Sequence, residues 1–166
     1  MNREEFTAQV RTELYGLRRF LLAACGGNSQ EADDVAQEAL MKAYVASRSF
    51  EHKTGFSTGF SAWLYRIACN TLVDHQRKNS SRTTLDINAA FGVVSGSQTD
   101  GAFAYQDLYR AIDGLNVSER TTVLLFYMED RPVREIATIM NVAEGTVKAS
   151  LSRAREHLKE KLKEKR

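Results

Sequence analysis

VREIATIMNVAEGTVKASL, residues 133–151, reads as two short helices joined by a tight turn. Ile136 and Met140 give the first helix an apolar side, and Ala137 is small where a second helix must approach closely. Asn141 falls at the turn, where a positive φ is expected, and asparagine adopts the left-handed conformation more readily than most residues. Val147 and Leu151 return the core contacts from the next helix. The arrangement is that of a helix-turn-helix, whose second helix enters the DNA major groove with its N-terminal residues near base edges. Those residues are Glu144, Gly145, Thr146, Lys148, Ala149, Ser150, Ser152 and Arg153. Lys148 and Arg153 can neutralise phosphates or bond to bases, and the helix N-terminus offers free N–H groups to a phosphate. By spacing alone, an ordinary helical hairpin with a solvated basic face remains open.

Working outward, residues from Gly145 to the end include eight basic side chains against Glu156, Glu160 and Glu164. The net charge of the chain is only +2, so placement matters more than the sum. This end suits a phosphate backbone, although the terminal KEKLKEKR also fits a solvated helix end. Upstream, Pro132 suits the first turn of a helix over Val133 to Met140. Ser118 is expected to cap a helix containing Thr121 to Met128, and Ala104 to Leu115 forms another short one. From Asn79 to Phe103 the chain is rich in Ser, Thr, Asn and Gly without a helical period, which predicts a flexible linker.

Ahead of the linker, Phe6, Val10, Leu14, Leu17 and Leu21 predict a helix over Arg3 to Ala24, ended by Cys25-Gly26-Gly27. Asn28 is the expected N-cap of a second helix, with Glu31 at its third position. Ala32, Val35, Ala36, Ala39, Leu40 and Ala43 form its inner face. Asp34, Gln37, Glu38 and Met41 form an outward stripe, and Asp33 adds to the acidic balance there. The helix is expected to end near Phe50. A loop, EHKTGFSTGF, then precedes a third helix from Ser61 to Lys78. Its inner face is Trp63, Leu64, Ile67, Ala68, Thr71 and Leu72, and its polar stripe is Arg66, Asn70, Asp74 and Arg77. No segment has a persuasive strand pattern, so the fold class is all-α, with two small helical domains at 1–78 and 104–166 joined by the linker 79–103.

Composition narrows the function classes. Cys25 and Cys69 are isolated, and His52, His75 and His157 are scattered, so neither a zinc site nor any other metal or cofactor is expected. No stretch approaches the ~20 apolar residues needed to span a bilayer, and the N-terminus lacks the apolar core of a signal peptide, so a cytoplasmic location without membrane insertion is expected. No plausible nucleophile–base set or phosphate loop is present, which argues against an enzyme.

Two blocks of the chain resemble the extracytoplasmic-function sigma factors of the sigma-70 family. The first is ADDVAQEALMKAYVASRSF followed by FSAWLYRIACNTLVDHQRK; the second is LNVSERTTVLLFYMEDRPVREIATIMNVAEGTVKASLSRAREHL. They occur in the family order with a linker between. The resemblance implies that the first block binds the clamp of core RNA polymerase and melts and reads the −10 element. Asp33, Asp34, Gln37, Glu38 and Met41 match the clamp-binding motif, although by themselves they read as a solvated polar face. The helix with Trp63, Tyr65, Arg66, Asn70, Asp74, Arg77 and Lys78 matches the promoter-melting element. The loop before it matches the segment that captures an extruded base, which needs an aromatic or apolar partner; Phe56, Phe60, Trp63 and Tyr65 are candidates. The alternative is that Trp63 and Phe60 are core, and for Trp63 the two readings fit equally well. The second block matches the part that reads the double-stranded −35 element, and an anti-sigma factor is an implied partner. Two departures stand out: Ala149-Ser150 replaces a frequent Ser-Arg pair after GTVK, and the loop Glu51 to Phe60 is longer than usual.

The resemblance implies a dissociable subunit that directs polymerase to promoters, while the polymerase does the chemistry. A stand-alone helix-turn-helix regulator would leave the acidic stripe and the WLYRIA block unexplained. A sigma mimic that only sequesters an anti-sigma factor would not need the basic recognition helix.

Overall fold

The structure, a computed structural model, describes residues 1–50, 59–82 and 103–163. All regular structure among them is helical: α1 (Arg3–Ala24), α2 (Ser29–Ala46), α3 (Gly59–Arg82), α4 (Phe103–Asp113), α5 (Val117–Val123), α6 (Val133–Met140) and α7 (Glu144–Lys163). A 3₁₀ turn (Ser47–Ser49) extends α2, and a π-helical turn (Leu124–Met128) extends α5.

Local signals set the helix ends. Asn2 caps α1 in a full capping box, its side chain accepting from the Glu5 amide while Glu5 accepts from the Asn2 amide. Asn28 accepts from the Glu31 amide at the start of α2. Asn116, rather than the expected Ser118, caps α5 by accepting from the Glu119 amide at 2.8 Å. The carboxamide lies one residue before the helix, where the first orphan amides point. Pro132 is the N-cap of α6, one position ahead of its first turn. The third helix is longer than periodicity indicated, running from Gly59 to Arg82, and α4 starts at Phe103. The rest of the expected linker, residues 83–102, lies outside the described residues.

The first half packs α1 and α3 against α2; the second packs α4, α5 and α6 against α7. Alanines 32, 36, 39 and 43 let α2 sit close to its neighbours, while Leu17, Phe20, Leu21, Leu64 and Leu72 fill the space around them. Leu124, Leu125, Ile136, Ile139, Val147 and Leu151 do the same in the second half. The halves also touch one another: α3 lies against α6, α1 lies against the π turn, and the buried apolar side chains form one continuous cluster.

Candidate nucleic-acid interface

Asn141 has φ 56° and ψ 49°, the left-handed turn expected from the sequence. The Val142 amide bonds to Ala137 O at 3.0 Å and the Asn141 amide to Thr138 O at 3.3 Å, the Schellman pattern that closes a helix C-terminus. This turn swings α7 across α6. Val147, Leu151 and Ala154 anchor α7 through its buried stripe. Glu144, Gly145, Thr146, Lys148, Ala149, Ser152 and Arg153 are exposed on its other side. A Cβ at Gly145 would meet nothing within 4 Å, so its small size serves no packing within the chain. Ser150 departs from expectation. It is 3% exposed and its hydroxyl lies 3.5 Å from Thr122 Oγ1, because position 150 belongs to the inward stripe 147, 150, 151, 154. Ser150 therefore supports the core and does not face the groove. Arg155 donates to Tyr127 Oη at 2.8 Å, which ties the basic side of α7 to the π turn.

On α3, Asn70, Asp74, Arg77 and Lys78 are exposed and Arg66 is half-buried, so the expected polar stripe lies along one face. The aromatic candidates divide. Trp63 is half-buried in a cluster, its ring 4.8 Å from Phe50 and 5.5 Å from Phe60. Phe60 is 5% exposed and also meets Phe6 edge-on at 5.9 Å, so it belongs to the core rather than to a base-capturing surface. Tyr65 is 1% exposed and is likewise corrected. The second half of the molecule covers it, and its phenol donates to Glu129 Oε2 at 3.1 Å. Burial first, and the Glu129 carboxylate second, raise its pKa well above that of an ordinary tyrosine. Phe56 lies outside the described residues.

The stripe on α2 is exposed at Asp33, Asp34, Gln37 and Met41 and half-buried at Glu38. Asp33 pairs with Arg18 at 3.4 Å. Glu38 is held by Lys42 at 3.2 Å and by His75 of α3 at 2.9 Å. The Lys42 hydrogen bond, chiefly, keeps its carboxyl below the ordinary glutamate range despite some desolvation. Met41 is 70% exposed, and Val45 beside it is 74% exposed. Tyr44, at 44%, completes an outward apolar group at positions 41, 44 and 45. The sequence reading passed over Tyr44 and Val45, yet the i, i+3, i+4 spacing beside an acidic stripe was a visible signal of an amphipathic contact face. Among the described residues no group of His, Cys, Asp and Glu is arranged to hold a metal ion, and no helix is long and apolar enough to cross a membrane.

An acidic-apolar face on α2, a polar face on α3 and a helix-turn-helix at α6–α7 therefore share one chain. Two family models match in the same order, Sigma-70 region 2 over residues 10–82 and Sigma-70 region 4 over residues 105–158. The ECF RNA polymerase sigma factor SigW of Bacillus subtilis (strain 168) is 36% identical over 152 residues, covering 83% of this chain and 79% of that protein. The chain belongs to the extracytoplasmic-function (ECF) sigma factors. The ECF RNA polymerase sigma-E factor of Escherichia coli (strain K12) is 32% identical, over 81% of this chain and 75% of that one. Among solved structures, the sigma factor RpoE, in complex with the anti-sigma factor NepR from Bartonella quintana, superposes with a TM-score of 0.72. It has 27% identity and covers 98% of this chain and 99% of that one. CnrH, in complex with the cytosolic domain of CnrY, has a similar fold at TM-score 0.70 and 19% identity, covering 98% and 90%. As a sigma factor, the chain directs RNA polymerase to promoters and is not itself a catalyst.

Proposed function

We propose that this sigma factor divides its work among the three faces described above. The α2 face (Asp33, Asp34, Gln37, Glu38 and Met41, extended by Tyr44 and Val45) docks on the clamp of core polymerase. An exposed apolar group rimmed by carboxylates suits a partner surface with an apolar centre and a basic rim. The polar stripe of α3, with Trp63 at its N-terminal end, meets the melted −10 strand. The exposed turns of α7, from Glu144 to Arg153, read the duplex −35 element. Residues up to Arg82 and from Phe103 onward carry these roles as sigma regions 2 and 4, and the chain between them joins the two. An anti-sigma factor holds the protein off, a reading supported by the complex of the similar RpoE with the anti-sigma factor NepR.

The observation that carries this reading is the outward exposure of Met41, Tyr44 and Val45 beside Asp34 on a helix whose opposite face is entirely core. Asp34→Arg combined with Met41→Ala changes only exposed side chains. The double variant is expected to fold normally and to lose at least tenfold in affinity for core polymerase, measured by fluorescence anisotropy of labelled sigma. Wild-type affinity in the folded variant refutes the docking face.

A further inference from the structure

Helix α1 carries two apolar stripes. One, through Phe6, Leu17, Phe20, Leu21 and Ala24, is core. The other faces outward, where Leu14, Tyr15 and Leu22 are interleaved with Arg11, Arg18 and Arg19. They wall a groove of about 650 Å³, bounded on its far side by Ser29, Ala32 and Asp33 at the start of α2. Tyr15 is 78% exposed and Leu22 41%, so neither is packed away within the chain. Leu22 and Arg19 also line a smaller hollow of about 270 Å³, where the half-exposed Tyr109 of α4 prolongs the apolar floor. Arg11 is exposed and, among the described residues, unpaired. Arg18 pairs with Asp33 at 3.4 Å, but both side chains are more than half exposed, so the pair is weak and another carboxylate can take the place of Asp33. Arg19 is turned to Glu129 and Met128 O, and its guanidinium lies 5.7 Å from the Tyr15 ring centre, which restrains the ring.

We propose that this groove is a docking site for an acidic amphipathic helix carried by a partner protein. Charge sets the sign of the partner: three guanidiniums face a single carboxylate, and the groove opens at the N-terminal, positive end of α2. Composition fits a protein surface, since bare tyrosine and arginine around leucine are the make-up of interface centres, whereas a solvated helix face is polar throughout. The walls set the form of the partner. Both are helices, whose backbone groups bond within themselves, so the groove offers no strand edge to an extended peptide, while a helix satisfies its own backbone. Arg11 to Leu22 spans about 16 Å along the axis at ~1.5 Å per residue, which a partner helix of about three turns covers. Its apolar side packs on Leu14, Tyr15 and Leu22, and its carboxylates reach Arg11 and Arg18. The groove shares only Asp33 with the clamp-docking face of α2 and nothing with the faces of α3 and α7.

The test is an NMR titration of the isotope-labelled full chain with a designed helical peptide of about 14 residues, its leucines spaced three and four apart between glutamates. The wild type is expected to bind it with the largest amide shifts between Arg11 and Leu22 and around Ala32. Tyr15→Ala combined with Arg11→Glu changes only exposed side chains. It is expected to keep its helix content by circular dichroism and to bind the peptide at least tenfold more weakly. Lys148→Ala combined with Arg153→Ala, on the basic face of α7, is expected to stay within twofold of the wild type. A scrambled peptide of the same composition, a single-stranded oligonucleotide of the same charge and anionic phospholipid vesicles are each expected to bind at least tenfold more weakly than the peptide. No binding of the peptide, shifts centred on α7, full binding by the Tyr15→Ala, Arg11→Glu variant, or equal binding of any of the three controls overturns the proposal. The affinity of that variant for core polymerase is expected to match the wild type; a tenfold loss there makes the groove part of the clamp-docking face and overturns it as a separate site.

Discussion

Replacing Asn141 by valine tests the turn on which the DNA-reading geometry depends. Asn141 is exposed, and among the described residues its side chain makes no hydrogen bond, so the substitution removes no packing and acts on the backbone alone. The residue is held at φ 56°, ψ 49° by the two amide bonds that close α6. An L-residue with a Cβ incurs roughly 1–2 kcal/mol in this conformation, and a β-branched one lies at or above the upper end. Valine is therefore expected to destabilise the protein by about 2 kcal/mol. For a chain of 166 residues that is a fall in Tm of about 4–8 °C, read by scanning calorimetry or circular dichroism. Glycine at the same position has no steric penalty at positive φ and is expected to stay within about 1 kcal/mol of the wild type. Valine should also weaken −35 binding, because a strained turn changes the angle at which α7 leaves α6. A valine variant as stable as the wild type would refute the left-handed turn as the element that sets the crossing of α6 and α7.

Three further outcomes are expected. Cys25 and Cys69 are buried free thiols whose pKa values burial pushes up to about 12, so neither should react with a maleimide at pH 8 until the protein is unfolded, and rapid labelling of the native protein would contradict their placement. The Glu38 carboxyl is held below the ordinary glutamate range, chiefly by its Lys42 hydrogen bond; what it contributes to stability is present above that range and is lost as pH falls through the lowered value, and carbon NMR should show its titration moving upward in Lys42→Met. In the holoenzyme, Arg153→Ala is expected to reduce the salt slope of promoter binding by about one unit uniformly, whereas Lys148→Ala should in addition cost ~1–3 kcal/mol at one base of the −35 element; no change from either at any salt would remove α7 as the reading helix.

Much of this architecture was legible in the chain because the relevant forces are local. The limits of α1, the alanine face of α2 and the left-handed turn at Asn141 follow from side chains within a few residues of one another, where a 3.6-residue period or a single asparagine leaves few alternatives. The exposed side of α7 was legible for the same reason, since Val147, Leu151 and Ala154 define its buried stripe. Ser150 was misassigned because a small hydroxyl residue is compatible with either side of that stripe, and only Thr122, 28 residues away, accounts for its position inside. Tyr65 was misread for a related reason, and the same ambiguity left Phe60 open between core and surface until the packing decided it. An amphipathic pattern tells which side of a helix is apolar, but an aromatic at its margin can be covered or bare. For Tyr65 the covering groups, Glu129 and Arg131, stand more than sixty residues further along the chain. Helix periods therefore came from the sequence, while the covered face of α3 was decided by tertiary packing, because burial depends on what the rest of the chain brings against a surface.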